Sequence, residues 1–228
     1  MSRRRRKPGV SSQIFKRNPS FAGQRAASKE FTNANYAATL LMHSVAPMID
    51  KIRGRETQGW VLKNIFKVIK TDVIHPKGER QVQTGNLGLL QGLEFSKVSS
   101  LATIFPVTTS ASINRTDGII RFAISSFNPK HSIRNPSGAT HFKIVSAGVE
   151  ADFISNTSVQ QITESGYIQL NNQATADIML DSAVTANSSM PLFLIAAIQF
   201  YQEMNGTMLP LNDKKLHPVT IVKVDQVK

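Results

Sequence analysis

The residues with the most recognisable chemistry stand at the beginning of the chain, which reads MSRRRRKPG. A guanidinium group binds phosphate through a planar pair of N–H donors, whereas an ammonium group acts as a point charge. Because arginine outnumbers lysine in this run, the sequence indicates contacts with phosphate groups. The predicted nucleic-acid-binding residues are Arg3, Arg4, Arg5, Arg6, Lys7, Lys16, Arg17 and Arg25.

The positive charge of the chain is confined to its first third. The net charge is +12; residues 1–80 contain 17 Lys/Arg and 5 Asp/Glu, whereas residues 81–228 contain 10 of each. This distribution is typical of a basic segment attached to a neutral folded body. The predicted partner is nucleic acid, either DNA or RNA, bound through its backbone without sequence preference.

Two other interpretations of the basic segment remain open. An anionic membrane surface would also attract it, but stable membrane binding needs a lipid anchor or an amphipathic helix. Residue 2 is not glycine and the chain has no cysteine, so the common lipidation signals are missing and no membrane partner is expected. The segment could also be only a solubility tail or a localisation signal.

The residue types that perform catalysis or bind metals form no recognisable pattern. The five histidines show no i, i+4 pair and no HxH or HExxH spacing. Cysteine is absent, and no GxSxG sequence occurs. The carboxylates are scattered and do not gather into an evident acid–base pair. The sequence therefore predicts no enzyme activity, no cofactor and no metal site.

Segments that would direct the chain to a membrane are also missing. The basic run is followed by polar residues and not by the apolar stretch of a signal peptide. The longest apolar stretch, residues 190–198, is much shorter than a membrane span. The expected location is a virion or the cytoplasm, without secretion through a signal peptide.

The chain divides into four predicted regions. Residues 1–27 contain prolines, glycines and serines and are expected to form a flexible basic arm. Residues 28–74 form a helical segment, because apolar residues recur there at helical spacing in 28–47 and 57–70. A polar, glycine-rich stretch predicts a linker over 75–96. From residue 97 to residue 228 the pattern becomes that of β-strands.

Eight or nine short strands with regular turns are predicted in the last region. The predicted strands are 98–105, 108–113, 119–127, 140–148, 149–155, 160–170, 174–180, 192–204 and 217–224. Asn205-Gly206 predicts a hairpin, and Gly118 is expected to adopt a left-handed conformation at the end of another turn. The fold class is therefore α+β, mainly β, with an antiparallel β-sandwich; the pattern leaves open whether it is immunoglobulin-like or a jelly roll.

Three segments resemble a protein family. RNPSFAGQRAASKEF (17–31), PSGATHFKIVSAGVEADF (136–153) and FLIAAIQFYQEMNGTMLPL (193–211) are similar to segments of uncharacterised proteins of Bacteroidetes-type bacteria and their mobile elements. The resemblance covers core and turn patterns, so it implies helices followed by a β-sandwich and implies no chemistry. Members of that family begin with a short apolar segment where this chain has its arginine run.

The combined features also resemble, in architecture alone, small viral coat proteins with an arginine-rich arm and a β shell domain. The sequence therefore favours a structural protein that assembles with copies of itself and coats or packages nucleic acid. Its alternatives are a small nucleic-acid-binding accessory protein that does not assemble, and an interaction module whose basic arm is only a tail.

Overall fold

The computed structural model describes residues 11–211 and 213–227. Five of the predicted phosphate-binding residues, Arg3, Arg4, Arg5, Arg6 and Lys7, lie outside the described residues. The helices of the described part are α1 (Ser12–Arg17), α2 (Ala22–Ser44), α3 (Ala46–Ile49), α4 (Arg55–Ile69), α5 (Leu101–Ile104) and α6 (Pro129–Ser132). Short 3₁₀ turns cover Pro19–Phe21, Leu87–Leu90 and Lys214–Leu216.

The strands form two antiparallel sheets. They are β1 (Thr109–Asn114), β2 (Ile119–Ile124), β3 (His141–Asp152), β4 (Thr157–Glu164), β5 (Ile168–Gln169), β6 (Ile178–Ala183), β7 (Leu192–Met204), β8 (Thr207–Pro210) and β9 (Val219–Asp225). The small sheet has the order β1-β2-β6. The large sheet has the order β4-β3-β7-β8, with β5 paired to β3 and β9 paired to β7. This architecture confirms the predicted class, an α+β, mainly β, sandwich-like fold.

The large sheet is the middle of three layers, and its central strands are buried on both faces. On β3, Val145 and Ala147 belong to a core shared with the helices, whereas Phe142 and Ile144 belong to a second core against the small sheet. On β7 the same alternation holds, so that the whole of Leu192–Ile198 is buried. A strand that is covered on both faces has a continuous run of apolar residues in the sequence. Residues 192–198 of β7 form such a run, LFLIAAI.

Helices α2 and α4 form the third layer and cover the outer face of the large sheet. The predicted helix 57–70 is confirmed as α4, which buries Val61, Ile65 and Val68 at helical spacing. The predicted helix 28–47 is present but begins earlier, at Ala22, because the chain enters it through a 3₁₀ turn that starts with a proline. Residues 12–17 and 22–27, expected to belong to a flexible arm, are therefore helical. Phe31 is 52% exposed, although it lies at helical spacing from the buried residues Ala34 and Ala38.

Residues 75–96, expected to be a linker, are packed into the helical core. Leu87, Leu90 and Phe95 are fully buried there, so this stretch joins the two parts of the chain instead of separating them. A side chain on Gly85 would lie 2.4 Å from the carbonyl oxygen of Val68, which explains why glycine stands at that position. Many of the polar residues that suggested a linker serve as hydrogen-bond partners of the backbone.

Asp72 organises the beginning of this stretch. Its buried carboxylate accepts hydrogen bonds from the backbone N–H groups of Ile74, His75 and Gln81, and it contacts the His75 ring at 2.7 Å. Burial alone raises the pKa of this carboxyl, but the hydrogen bonds outweigh burial and hold the pKa well below its ordinary value. The carboxylate is therefore committed to the loop and is not presented to a partner.

Three details of the strand prediction are corrected by the structure. Residues 98–105, predicted as a strand, contain the short helix α5, because Ser100 begins a helical turn that Phe105 ends. Residues 140–148 and 149–155, predicted as two strands, form the single strand β3, since Gly148 does not interrupt the pairing with β7. The short strand β8 was not predicted. Gly118 has a φ of 67°, so its left-handed conformation is confirmed.

The contact between the two sheets at Gly148 gives a stability prediction. A Cβ at Gly148 would lie 2.7 Å from Cβ of Ser182 and 3.3 Å from Cβ of Ile120, so the sheets would have to move apart. We expect Gly148→Ala to lower the free energy of unfolding by about 1–3 kcal/mol, measured by urea denaturation.

Gly59→Ala is the matched control, because a Cβ at this helical position meets nothing within 4 Å. This variant should raise the free energy of unfolding by about 0.5–1 kcal/mol, since alanine has the higher helix propensity. Equal stability of Gly148→Ala and the unmodified protein would show that the sheets do not approach this closely.

Candidate nucleic-acid interface

Three residues of the predicted phosphate-binding set lie in the described part of the chain. Lys16 and Arg17 occupy the last turn of α1, and both are exposed. Arg25 is partly buried: its Nη1 donates hydrogen bonds to the carbonyl oxygens of Phe15 at 2.7 Å and Asn18 at 2.9 Å. Arg25 therefore holds the end of α1 against α2, and its contact with phosphate stays a prediction.

Further cations of the helical layer are exposed. They are Lys29, Arg53, Arg55, Lys63, Lys67, Lys70 and Lys77. Two of the five acidic residues in this third of the chain, Glu30 and Asp72, are buried and bound to backbone N–H groups. The side chains that this layer offers to a partner are therefore more basic than its composition alone indicates.

Ion pairs occur in both parts of the chain, and in the helical part they join Lys51 to Asp50, His75 to Asp72 and Arg80 to Glu30. In the sandwich, Arg115 pairs with Asp225 at 2.8 Å, and Arg121 forms a two-pronged contact with Asp181 at 2.7 Å. Lys143 of β3 likewise contacts a glutamate at 2.7 Å. Among the described residues, none of the exposed helical-layer cations named above has a carboxylate within 4.0 Å. Their charge is left for a partner outside the chain.

Two adjoining hollows, of about 610 and 460 Å³, lie where α4 meets the sandwich. Both are lined by Trp60, Ser96, Lys97 and Val98, and we call them together the basic groove. The cations that line the basic groove are Arg53, Arg55, Lys97, Arg134, Lys214 and Lys215. The acidic residues that line it are Glu56 and Glu94, so positive charge dominates its walls.

Trp60 is the central aromatic residue of the basic groove. Its indole N–H donates a hydrogen bond to the carbonyl oxygen of Glu94 at 2.8 Å, and its ring packs against the helical core. The ammonium groups of Lys97 and Lys63 lie 5.3 and 5.9 Å from the ring centroid. Trp60 fills the junction between the helices and the β-sandwich, and it also forms a wall of the groove.

Glu94 connects the groove to the large sheet. Its carboxylate accepts hydrogen bonds from the hydroxyl of Thr220 and, at 3.0 Å, from the backbone N–H of Leu101. Burial raises the pKa of the Glu94 carboxyl above its ordinary value, although these hydrogen bonds oppose the shift. The carboxylate is thus held by the loop and the large sheet.

Sequence reasoning missed most of the groove. The row Lys63, Lys67 and Lys70 is visible in the sequence as cations at helical spacing. Lys97, Arg134, Lys214 and Lys215 stand in the part of the sequence whose charges balance, and no local spacing relates them to Trp60. Only the packing of α4 on the sandwich brings them together.

Two further features, a metal site and a membrane-spanning helix, are absent from the described residues. No group of three or more His, Asp or Glu side chains within residues 11–211 and 213–227 could hold a metal ion. In the same part of the chain, no helix is long and apolar enough to cross a membrane.

Comparison with known proteins adds little to this description. No family model and no curated protein matches the chain. One similar solved chain comes from work described as "pH-induced modulation of Streptococcus parasanguinis adhesion by Fap1 fimbriae"; it is 11% identical, covers 51% of this chain and 81% of its own length, and has a TM-score of 0.22. A likeness this low carries no argument about fold or function.

The contact made by Arg25 gives a prediction that separates a structural role from phosphate binding. Arg25→Ala removes both hydrogen bonds to the end of α1, so α1 should detach more often. We expect amide hydrogen exchange in residues 14–18 to become about tenfold faster or more in the absence of any ligand. Arg17→Ala is the control, because Arg17 is exposed on the same turn, and it should leave exchange nearly unchanged. Equal exchange in the two variants would contradict the anchoring role.

Proposed function

We propose that the protein is a structural nucleic-acid-binding protein that assembles with copies of itself into a coat. The observation that carries the proposal is the set of exposed cations on the helical layer that have no carboxylate partner among the described residues. These cations stand in the part of the chain that carries the whole excess of charge, since residues 81–228 contain 10 Lys/Arg and 10 Asp/Glu. Unpaired cations on one side of a protein attract polyanions, of which nucleic acid is the most common.

The arrangement of these cations favours contacts with backbone phosphates. Lys63, Lys67 and Lys70 form a row along α4, and Lys16 and Arg17 are exposed on α1. The row spans about 10 Å of helix, since each residue adds about 1.5 Å. Basic residues distributed over helical surfaces neutralise phosphates and carry no information about base identity. The predicted binding is therefore independent of sequence, and the arginine run at positions 3–7 would add further phosphate contacts.

The sandwich has features that suit contacts between copies. Residues 81–228 have no net charge, so neighbouring sandwiches would not repel one another strongly. Strands β1 and β4 stand at the edges of their sheets, and edge strands present unpaired backbone groups. Ile119 and Met179 are exposed on the small sheet and could contribute apolar contacts. These features support assembly through the sandwich with the helical layer turned toward nucleic acid.

The electrostatic part of the proposal predicts a salt dependence of defined size. About five to eight phosphate contacts give a slope of about −4 to −7 when the logarithm of the affinity is plotted against the logarithm of the salt concentration. Replacing Lys63, Lys67 and Lys70 together by alanine should weaken binding to a labelled oligonucleotide. It should also reduce the slope by about 2–3.

The matched control replaces the same three lysines by arginine, which conserves the charge and should preserve the slope. Lys130→Ala, at an exposed cation of the sandwich, should have little effect on either quantity. An affinity that does not change with salt would contradict phosphate binding by this surface.

The assembly part of the proposal is tested on protein purified without nuclease. We expect closed shells or filaments in electron micrographs, with an absorbance ratio at 260 and 280 nm that indicates bound nucleic acid. Small particles that carry nucleic acid would contradict the coat and favour an accessory binding protein. Small particles with the absorbance ratio of pure protein would contradict both the coat and the accessory nucleic-acid-binding protein. They would favour an interaction module whose basic arm is only a tail.

A further inference from the structure

The basic groove differs from the lysine row of α4 because it is concave and has the partly exposed Trp60 among its lining residues. Its two hollows, of about 610 and 460 Å³, each have the size of a typical small-molecule site, which is about 300–1,000 Å³. The groove can surround a larger chemical group.

Trp60 is held in place before any ligand arrives. Its N–H is fixed by the carbonyl oxygen of Glu94, and its ring is supported by the helical core, but part of the side chain remains exposed. Aromatic rings that are fixed beside cations are the usual platforms for unpaired bases. The lysines that now lie near the ring, Lys63 and Lys97, would remain close to the phosphates on either side of a stacked base.

The wall of the larger hollow offers groups for a phosphate. Lys97, Arg134 and Lys215 line it, and none of them has an ion-pair partner within the described part of the chain. The hydroxyl oxygen of Ser99, also in this wall, is buried and has no hydrogen-bond partner among the described residues. A buried hydroxyl without a partner is uncommon, and a phosphate or sugar oxygen would satisfy it.

The combination selects single-stranded nucleic acid over a duplex. The bases of a duplex are paired and stacked on one another, so their faces cannot reach Trp60 in a recess of this size. In a single strand the bases can turn outward and stack on an aromatic ring while the backbone follows a basic groove.

We propose that the basic groove binds one or two nucleotides of a single strand, with a base on Trp60 and the adjoining phosphate on Lys97, Arg134 and Lys215. The inference rests on the proposed function and specifies its substrate class. It concerns binding alone and involves no chemical reaction.

Trp60 is the only tryptophan of the chain, so all tryptophan emission comes from a ring that lines the groove. The experiment titrates the full chain with a 12-nucleotide oligo(dT), with a 12-base-pair duplex and with thymidine monophosphate. Tryptophan emission and the anisotropy of a fluorescein label on the DNA are recorded in parallel. We expect oligo(dT) to quench the emission at the concentrations where anisotropy rises, and to bind about tenfold more tightly than the duplex.

Variants test whether the residues of the basic groove cause the tighter binding of oligo(dT). Lys97→Ala combined with Arg134→Ala should weaken oligo(dT) binding about tenfold while changing duplex binding less than threefold. Lys130→Ala, an exposed cation outside the groove, should behave like the unmodified protein. Trp60→Phe should retain most of the binding seen by anisotropy, whereas Trp60→Leu should lose about tenfold. Circular dichroism of each variant verifies that it is folded.

The outcomes separate this inference from the function on which it rests. Anisotropy changes without quenching, or equal affinity for duplex and oligo(dT), would overturn the groove assignment and leave nucleic-acid binding by the helical layer intact. No anisotropy change at low salt with either polymer would overturn the proposed function as well. Quenching by thymidine monophosphate at lower concentrations than by oligo(dT) would overturn the strand assignment and identify a site for a free nucleotide.

Discussion

The burial of β3 and β7 on both faces is the constraint on which the rest of the structure depends. A sheet whose central strands are apolar on both sides must be covered on both sides, because exposing either face would cost the burial free energy of a whole core. The small sheet covers one face, and the helices α2 and α4 cover the other. Each covering layer thereby acquires an outer surface of its own, and the two outer surfaces differ in charge.

This layering explains how a protein with such an uneven charge distribution can fold. Most of the cations within residues 11–80 are exposed, so water solvates them. The two acidic residues that the layer does bury, Glu30 and Asp72, bind backbone N–H groups and stabilise the path of the chain around residues 72–81. The fold therefore keeps its structural carboxylates inside and leaves its cations outside.

The basic groove follows from the same layering, since it lies at the seam between the helices and the sandwich. Trp60 closes that seam through its hydrogen bond to the carbonyl oxygen of Glu94. A side chain that fills a junction between layers is rigid, and a rigid ring bordered by cations is already arranged for a ligand. In this protein one residue thus contributes both to stability and to the proposed recognition of nucleic acid.

The sequence by itself determined the fold class, the helix α4, most strands and the location of the charge, because these depend on local periodicity and composition. It predicted a linker at 75–96 because glycines and polar residues there resemble those of loops, although Leu87, Leu90 and Phe95 are buried. Only the tertiary structure decided that Arg25 binds the end of α1. The tertiary structure alone also decided that Lys97, Arg134 and Lys215 line the same hollow as Trp60. Contacts between residues far apart in the chain are set by the packing of whole layers, which no local pattern records.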